Sequence, residues 1–327
     1  MSRIRIGVVG CGNIATSGHL PALHRNPDVE LIAVVDTDRR RAGLAAGQFG
    51  CGVAGSVTEL AERAVRAVIV ATPPQISPRL TLDAISQGLD VLCEKPMAVE
   101  LADALAVQQA ATESGQVVQI GFKNRFSPLV RAVREWIIAG DLGHPLAFTL
   151  GGFDETRDRA APEHERRIRD FLSVAPSFMH EGAHLADHLA YLTESEPVAV
   201  QAAGLRSLDD LPSENFVSAL VNYANGDVAR LEIGWLFPTS PVGEFRALGP
   251  DGVAIVDRPG GVATLTTRTR TQQVRLAGRW NPICFDLQLQ HFLKCVRTRA
   301  TPETSVAAGL ASLRLGRQVV EALRRHR

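Results

Sequence analysis

The run Ile4-Arg5-Ile6-Gly7-Val8-Val9-Gly10-Cys11-Gly12-Asn13-Ile14-Ala15 constrains this chain more than any other segment. Residues 4–9 are apolar apart from Arg5 and read as a strand buried on both faces. The strand ends in the pattern GxGxxA and passes into a helix-like stretch. Each small residue has a geometric reason. Gly10 permits a tight turn, Gly12 lacks the Cβ that would hold the backbone away from a pyrophosphate, and Ala15 lets helix and strand pack closely. A helix that starts there points unpaired N–H groups and a partial positive charge at the phosphates. Alone, the glycine pattern is weak evidence. Here a second apolar run, residues 31–35, ends in Asp36, 24 positions beyond Gly12. A carboxylate at that spacing accepts hydrogen bonds from ribose hydroxyls and repels a 2′-phosphate. Gly10, Gly12, Asn13, Ile14 and Asp36 are therefore expected to hold a dinucleotide, with NAD preferred. Arg39, Arg40 and Arg41 keep NADP open, because one of them could reach a 2′-phosphate.

The alternation continues. Residues 67–71, 89–93 and 117–120 are further strand-like runs, and residues 39–48, 76–87 and 100–114 have helical texture. Strands alternating with helices predict a parallel, doubly wound sheet. Beyond Gly121 the texture changes. A helix is expected over residues 127–139, followed from about residue 199 by consecutive strands. Asn225-Gly226 and Asp251-Gly252 each sit between two such strands and suit tight hairpin turns with positive φ. The polar stretch from Asp154 to Asp170 reads as a loop, over a substrate or simply solvated. Two helices, over residues 285–297 and 306–323, close the chain; the second carries an apolar stripe of Val306, Leu310, Leu313, Val320 and Leu323. The expected division is a dinucleotide-binding domain over 1–122, an α+β domain with a mostly antiparallel open sheet over 123–304, and a C-terminal helix over 305–327 packing back on the first domain.

Composition excludes several function classes. Lys plus Arg and Asp plus Glu are 35 each, so the net charge is zero, unlike the basic excess of a nucleic-acid binder. The basic end Arg324-Arg325-His326-Arg327 reads as a solvated helix terminus. No apolar run approaches the ~20 residues that span a bilayer, and no signal-like segment precedes the first strand. Cys11, Cys51, Cys93, Cys284 and Cys295 are odd in number, scattered and without a CxxC pair. That usage favours a reducing, cytoplasmic setting over a disulfide framework.

Three further stretches carry a resemblance: Ala71-Thr72-Pro73-Pro74, Cys93-Glu94-Lys95-Pro96, and His180-Glu181-Gly182-Ala183-His184-Leu185-Ala186-Asp187. With the glycine fingerprint, with Asn124-Arg125-Phe126-Ser127-Pro128 and with Gly140-Asp141-Leu142-Gly143, the chain resembles the Gfo/Idh/MocA oxidoreductases over nearly its whole length. The Glu-Lys-Pro signature after a parallel strand is the most specific element. The resemblance implies an N-terminal Rossmann domain, hydride transfer between NAD(P) and a hydroxyl or carbonyl of a sugar, cyclitol or related polyol, and a homodimer or homotetramer. It also implies a catalytic Lys95 positioned by Glu94, and a cofactor site lined by Thr72, Pro73, Glu94 and Lys95. Some relatives are NAD-dependent redox glycosidases or cofactor-binding regulators, so these alternatives stay open.

The chemistry can be read beside the resemblance. Lys95 at the carboxyl end of a parallel strand can bond a substrate oxygen and stabilise developing alkoxide charge. Alcohol oxidation needs a group to take the hydroxyl proton, and His184 titrates in the right range. In the family pattern Asp-x-x-x-His-x-x-Asp, His184 and Asp187 fill the last two positions, but the first holds His180. Either His180 bonds the substrate itself or Glu181 supplies the carboxylate. Arg125 and Phe126 are candidates to face the substrate; Ser77, where many family members carry histidine, is assigned no role. Residues 180–184 also match HExxH, the pattern of a zinc protease. That reading leaves every other motif idle, Gly182 weakens the helix it needs, and no metal is expected.

Overall fold

Continuous apolar runs become strands because a parallel sheet buries both of its faces. The computed structural model describes residues 2–158, 160–240 and 243–325. In it β1 (Ile4–Val9), β2 (Val29–Val35), β3 (Gly52–Val53), β4 (Ala67–Val70), β5 (Asp90–Cys93) and β6 (Val118–Ile120) form one parallel sheet in the order β3-β2-β1-β4-β5-β6. Between the strands run α1 (Leu20–Arg25), α2 (Arg39–Phe49), α3 (Val57–Glu62), α4 (Ser77–Ser86) and α5 (Leu101–Ser114). The order reverses direction at β1/β4, the switch point where doubly wound sheets bind ligands. Asp38 caps α2 by accepting from the Arg40 and Arg41 amides, and Gly50 ends it in the left-handed conformation.

The second half begins with α6 (Pro128–Ile138), β7 (Ala147–Asp154), α7 (Pro162–Val174), α8 (Ser177–His180) and α9 (Gly182–Thr193). It continues through β8 (Pro197–Leu205), β9 (Phe216–Tyr223), β10 (Val228–Trp235), β11 (Phe245–Leu248), β12 (Gly252–Asp257), β13 (Val262–Thr267) and β14 (Thr271–Arg275). The eight strands make one open sheet, β14-β13-β12-β11-β7-β10-β9-β8, antiparallel except where β7 and β10 run parallel. α6 packs on β12–β14, and α8 and α9 pack on β7, β9 and β10. α10 (Trp280–Thr298) and α11 (Val306–Arg325) end the chain.

The chain divides into two compact units that are discontinuous in sequence: Met1–Phe126 with Asn281–Leu310, and Ser127–Trp280 with Ala311–Arg327. Single boundaries near 122 and 304 therefore give way to three crossings. Packing explains them. Phe285, Leu289, Phe292, Leu293, Cys295 and Val296 of α10 join Ile4, Ile6, Val8, Leu20 and Leu23 in the core of the first unit. Just beyond α10, Arg299 grips both oxygens of buried Asp90 at 2.7 Å. By contrast Leu315, Val319, Ala322 and Leu323 of α11 belong to the core of the second unit, with Phe148, Leu189 and Leu231. Most of the last helix thus belongs to the second unit. His326 and Arg327 lie outside the described residues.

Two local expectations need correction. Gly226 has the positive φ expected of its hairpin (90°), but Gly252 does not. It opens β12, and a Cβ there would lie 2.8 Å from the Asp141 carbonyl oxygen, so close approach explains the glycine. The polar stretch after β7 is not all loop: α7 covers its second half. Ile168 and Leu172 lie on one side of α7 in a small core with Leu211, Trp235 and Leu236, while Arg169 pairs with Glu165 and Asp210. Three apolar residues among charges gave too faint a stripe to read. Arg159 lies outside the described residues.

Candidate active site

The first unit carries its functional groups on one row. Past the strand ends, Gly10 N donates to Val35 O, Ala71 N to Val9 O, Glu94 N to Val70 O and Gly121 N to Cys93 O. The ladder thus extends one residue beyond β1, β4, β5 and β6. It sets the glycine loop, the Thr-Pro-Pro turn, the Glu-Lys-Pro turn and Gly121 side by side at the carboxyl edge.

The glycines of the fingerprint differ in kind. Gly10 has φ +95°, and a Cβ there would sit 2.4 Å from Ala71 O and 2.9 Å from Thr72 Cγ2. Gly12 has nothing within 4 Å of the same virtual atom. Gly10 is fixed by the protein; Gly12 faces open space of the kind a pyrophosphate needs. Ala15 is fully buried, Ile14 packs against the core and Asn13 is exposed. The first helix starts with a wide π turn over Ala15–His19, where Thr16 and Ser17 hydroxyls donate back to the Gly12 and Asn13 carbonyls. Asp36 holds the loop from the other side. Its oxygens accept from Cys11 N and Asp38 N, both at 2.8 Å, and Arg41 Nε stands 3.6 Å away. Burial, then the Asp36 charge, push the Cys11 thiol up to about 12, so it stays neutral beside the loop. These residues fit a dinucleotide: an uncovered glycine, a helix start and a fixed carboxylate at the end of β2.

Ser77 has a structural role that sequence reasoning missed. Its hydroxyl lies 2.9 Å from Thr72 Oγ1 and donates to the Thr72 and Pro73 carbonyls, tying the turn to α4. Glu94 is buried and bonded at both oxygens. Oε2 accepts from Lys95 N at 3.0 Å, and Oε1 accepts from His19 Nε2 at 2.7 Å. Burial pushes the Glu94 carboxyl up, but His19 first, then Lys123 and Lys95, outweigh it and hold it below the usual range. Nothing in the local sequence around His19 singled it out; only the fold brings it to Glu94, 75 residues away. The Lys95–Pro96 peptide is cis. Arg125 and Phe126 serve the packing of this unit: Arg125 Nη1 donates to Glu303 O, and the Phe126 ring lies 5.0 Å from His291.

In the second unit His180, His184 and Asp187 lie on α8 and α9, all buried. His180 Nε2 donates to Phe171 O at 3.0 Å, and its ring stacks on Trp235 at 5.4 Å and 25°. That bond places a proton on Nε2 and ties α8 to the end of α7. His184 and His188 follow one another at one-turn spacing on α9, and His188 leans on Phe245. Gly182 does not break the helix. It opens α9, where a Cβ would lie 2.7 Å from the Phe178 ring. Among the described residues, no group of three or more His, Cys, Asp or Glu side chains is placed to hold a metal.

Comparison with known proteins fixes the family. Residues 4–122 match the oxidoreductase family with the NAD-binding Rossmann fold, and residues 130–255 match the GFO/IDH/MocA C-terminal domain. The chain belongs to the Gfo/Idh/MocA oxidoreductases. It is 33% identical to inositol 2-dehydrogenase 4 of Saccharopolyspora erythraea over 236 residues, 70% of this chain and 66% of that one. It is 26% identical to the scyllo-inositol 2-dehydrogenase (NAD(+)) of Bacillus subtilis over 96% of this chain and 92% of the relative. Its fold matches UDP-N-acetylglucosamine 3-dehydrogenase GnnA from Acidithiobacillus ferrooxidans with a TM-score of 0.85, 25% identity and 99% coverage of both chains. As a family member the chain is an oxidoreductase with an NAD-binding domain.

Proposed function

We propose that this enzyme transfers a hydride reversibly between NAD and a carbinol or carbonyl carbon of a cyclitol, sugar or related polyol. The observation that carries the reading is the strand-end row. In it Lys95, one residue after Glu94, follows β5 next to the Thr72-Pro73 turn, which lies between it and the glycine loop. Bound nicotinamide supplies the hydride acceptor. Lys95 donates to the reacting oxygen and stabilises its negative charge as the carbon–hydrogen bond breaks. His184 accepts the hydroxyl proton in oxidation and returns it in reduction. Asp187, one turn beyond His184, orients the substrate's remaining hydroxyls. His180 contributes through packing, because its Nε2 proton already serves the Phe171 carbonyl. Asp36 favours NAD, since a 2′-phosphate would meet its carboxylate.

The cyclitol and sugar class follows the activities named for the relatives. Five free cysteines support a reducing, cytoplasmic setting. No described helix is long and apolar enough to cross a membrane. Exposed Val198, Leu205, Leu220, Leu248 and Ile255 on the open sheet support pairing with a second copy, as a homodimer or homotetramer. A panel of inositols, aldoses and sugar nucleotides, with NAD and with NADP, tests the reading at the NADH absorbance. Steady release of NADH with at least one polyol is expected. Cleavage of a glycoside without net NADH would replace the reading by a redox glycosidase. Cofactor binding without turnover on any substrate would replace it by a regulator.

A further inference from the structure

Lysine is rare in this chain. Of its 35 basic residues, 32 are arginine and only Lys95, Lys123 and Lys294 are lysine. Two of these three act on the same buried carboxylate, Glu94. An ammonium is a compact point charge, whereas guanidinium is a planar fork. A chain that uses arginine almost everywhere keeps the compact cation here.

The neighbourhood of Glu94 is built around it. Its partner His19 is buried at 3% exposure and packs edge-on against Phe285 with ring centroids 4.9 Å apart. Lys123 Nζ stands 5.3 Å over the same ring. Two glycines make the room. A Cβ on Gly121 would lie 2.9 Å from Glu94 Cδ and Oε1, and one on Gly18 would lie 2.3 Å from Phe285 Cζ. The titratable groups facing Glu94 are His19 from the π turn, Lys123 from the turn after β6, Lys95 beside it, and the Cys93 thiol at the end of β5. Burial pushes that thiol up to about 12, so it brings no charge. Burying a carboxylate costs more than an apolar residue in the same space would, and buried ion pairs seldom repay that cost in stability.

We propose that His19 is a further positioning residue for Lys95, acting through Glu94: it fixes one oxygen of the carboxylate whose other oxygen fixes the Lys95 amide. The carboxylate also favours the charged form of the Lys95 side chain, by the same attraction that Lys95 exerts on Glu94. His19 acts one step further away, by keeping Glu94 ionised and aimed. The pair rests on the role of Lys95 given above, but it has a readout that does not need turnover.

Competitive acetylation with acetic anhydride across pH, read by peptide mass spectrometry, gives the titration midpoint of each lysine, with Lys294 as an internal reference. In Glu94→Gln the Lys95 midpoint should move to lower pH by about one unit, the scale of one nearby charge. The alkaline limb of kcat/KM should move with it, and kcat should fall by roughly tenfold or more, while NADH affinity stays within about twofold. His19→Phe keeps the ring against Phe285 and loses the donor, so kcat should fall by roughly tenfold at nearly unchanged NADH affinity, while the Lys95 midpoint does not fall, because the Glu94 carboxylate keeps its charge wherever a lysine titrates. His19→Gln restores a donor and should recover most of the loss, which tests the pair even if Glu94→Gln does not fold. An unmoved Lys95 midpoint in Glu94→Gln, or a kcat in His19→Phe within about twofold of the native value, would overturn the proposal. If Lys95→Met retains turnover while the Lys95 midpoint still moves in Glu94→Gln, the role of Lys95 fails and the pair stands.

Discussion

The two units hold their chemistry in different ways. In the first, the functional groups hang from the ends of neighbouring strands, and a ladder of backbone hydrogen bonds sets their spacing. In the second, His180 and His184 stand on two successive helices, and ring stacking and one carbonyl bond set the orientation of His180. A strand-end site is local in sequence and tolerates little change in its backbone. A helix-borne site depends on distant packing and leaves fewer marks in sequence.

The sharpest test of this contrast is Lys95→Met. It should reduce turnover by at least ~3 kcal/mol of transition-state stabilisation while NAD affinity stays nearly intact. Near-normal activity would remove the chemistry from the strand-end row. The fingerprint glycines give the next largest effect. Gly10→Ala must accept an unfavourable φ and a 2.4 Å clash with Ala71 O, so thermal unfolding should show a loss of ~3 kcal/mol. Gly12→Ala meets no neighbour and should melt like the native protein, yet isotherms should show NAD binding weakened about tenfold or more. If both variants lost stability equally, the distinction between a structural and a ligand-facing glycine would fail.

For the second unit, His180→Phe keeps the stack on Trp235 and leaves the Phe171 carbonyl without its donor. A stability loss of ~1–3 kcal/mol is expected, with a smaller change in kcat than in melting temperature. Loss of turnover at unchanged stability would make His180 a proton carrier after all. The smallest effect is expected at Asp36. Asp36→Ala should weaken NAD by ~1 kcal/mol and narrow the gap to NADP. Unchanged preference between the two cofactors would shift selectivity to the arginines of α2.

Legibility followed the same division. The parallel sheet, its strand ends and the residues at Gly10, Asp36 and Lys95 were readable, because a fingerprint and a strand end are defined by contiguous residues. His19 was not, because its meaning lies in Glu94, which only the fold brings near. α7 was missed because Ile168, Phe171 and Leu172 are scattered among charges. His180 was read as a departure from a catalytic pattern, but its bond to Phe171 could not be foreseen without α7. The sequence around Gly252 and Gly182 suggests a conformational reason for each glycine, whereas a Cβ at either would meet close neighbours.

The contribution of α10 to the first unit has a consequence during synthesis. A ribosome finishes the parallel sheet about 160 residues before it delivers Phe285, Phe292 and Arg299. At ~5–20 residues per second that interval lasts roughly 8–30 s. Throughout it, the nascent chain exposes the apolar residues that α10 covers, a substrate for holding chaperones, and Asp90 has only Arg66 and the Val117 amide as partners. Messages that slow translation between these segments should lower the soluble yield of an otherwise unaltered enzyme.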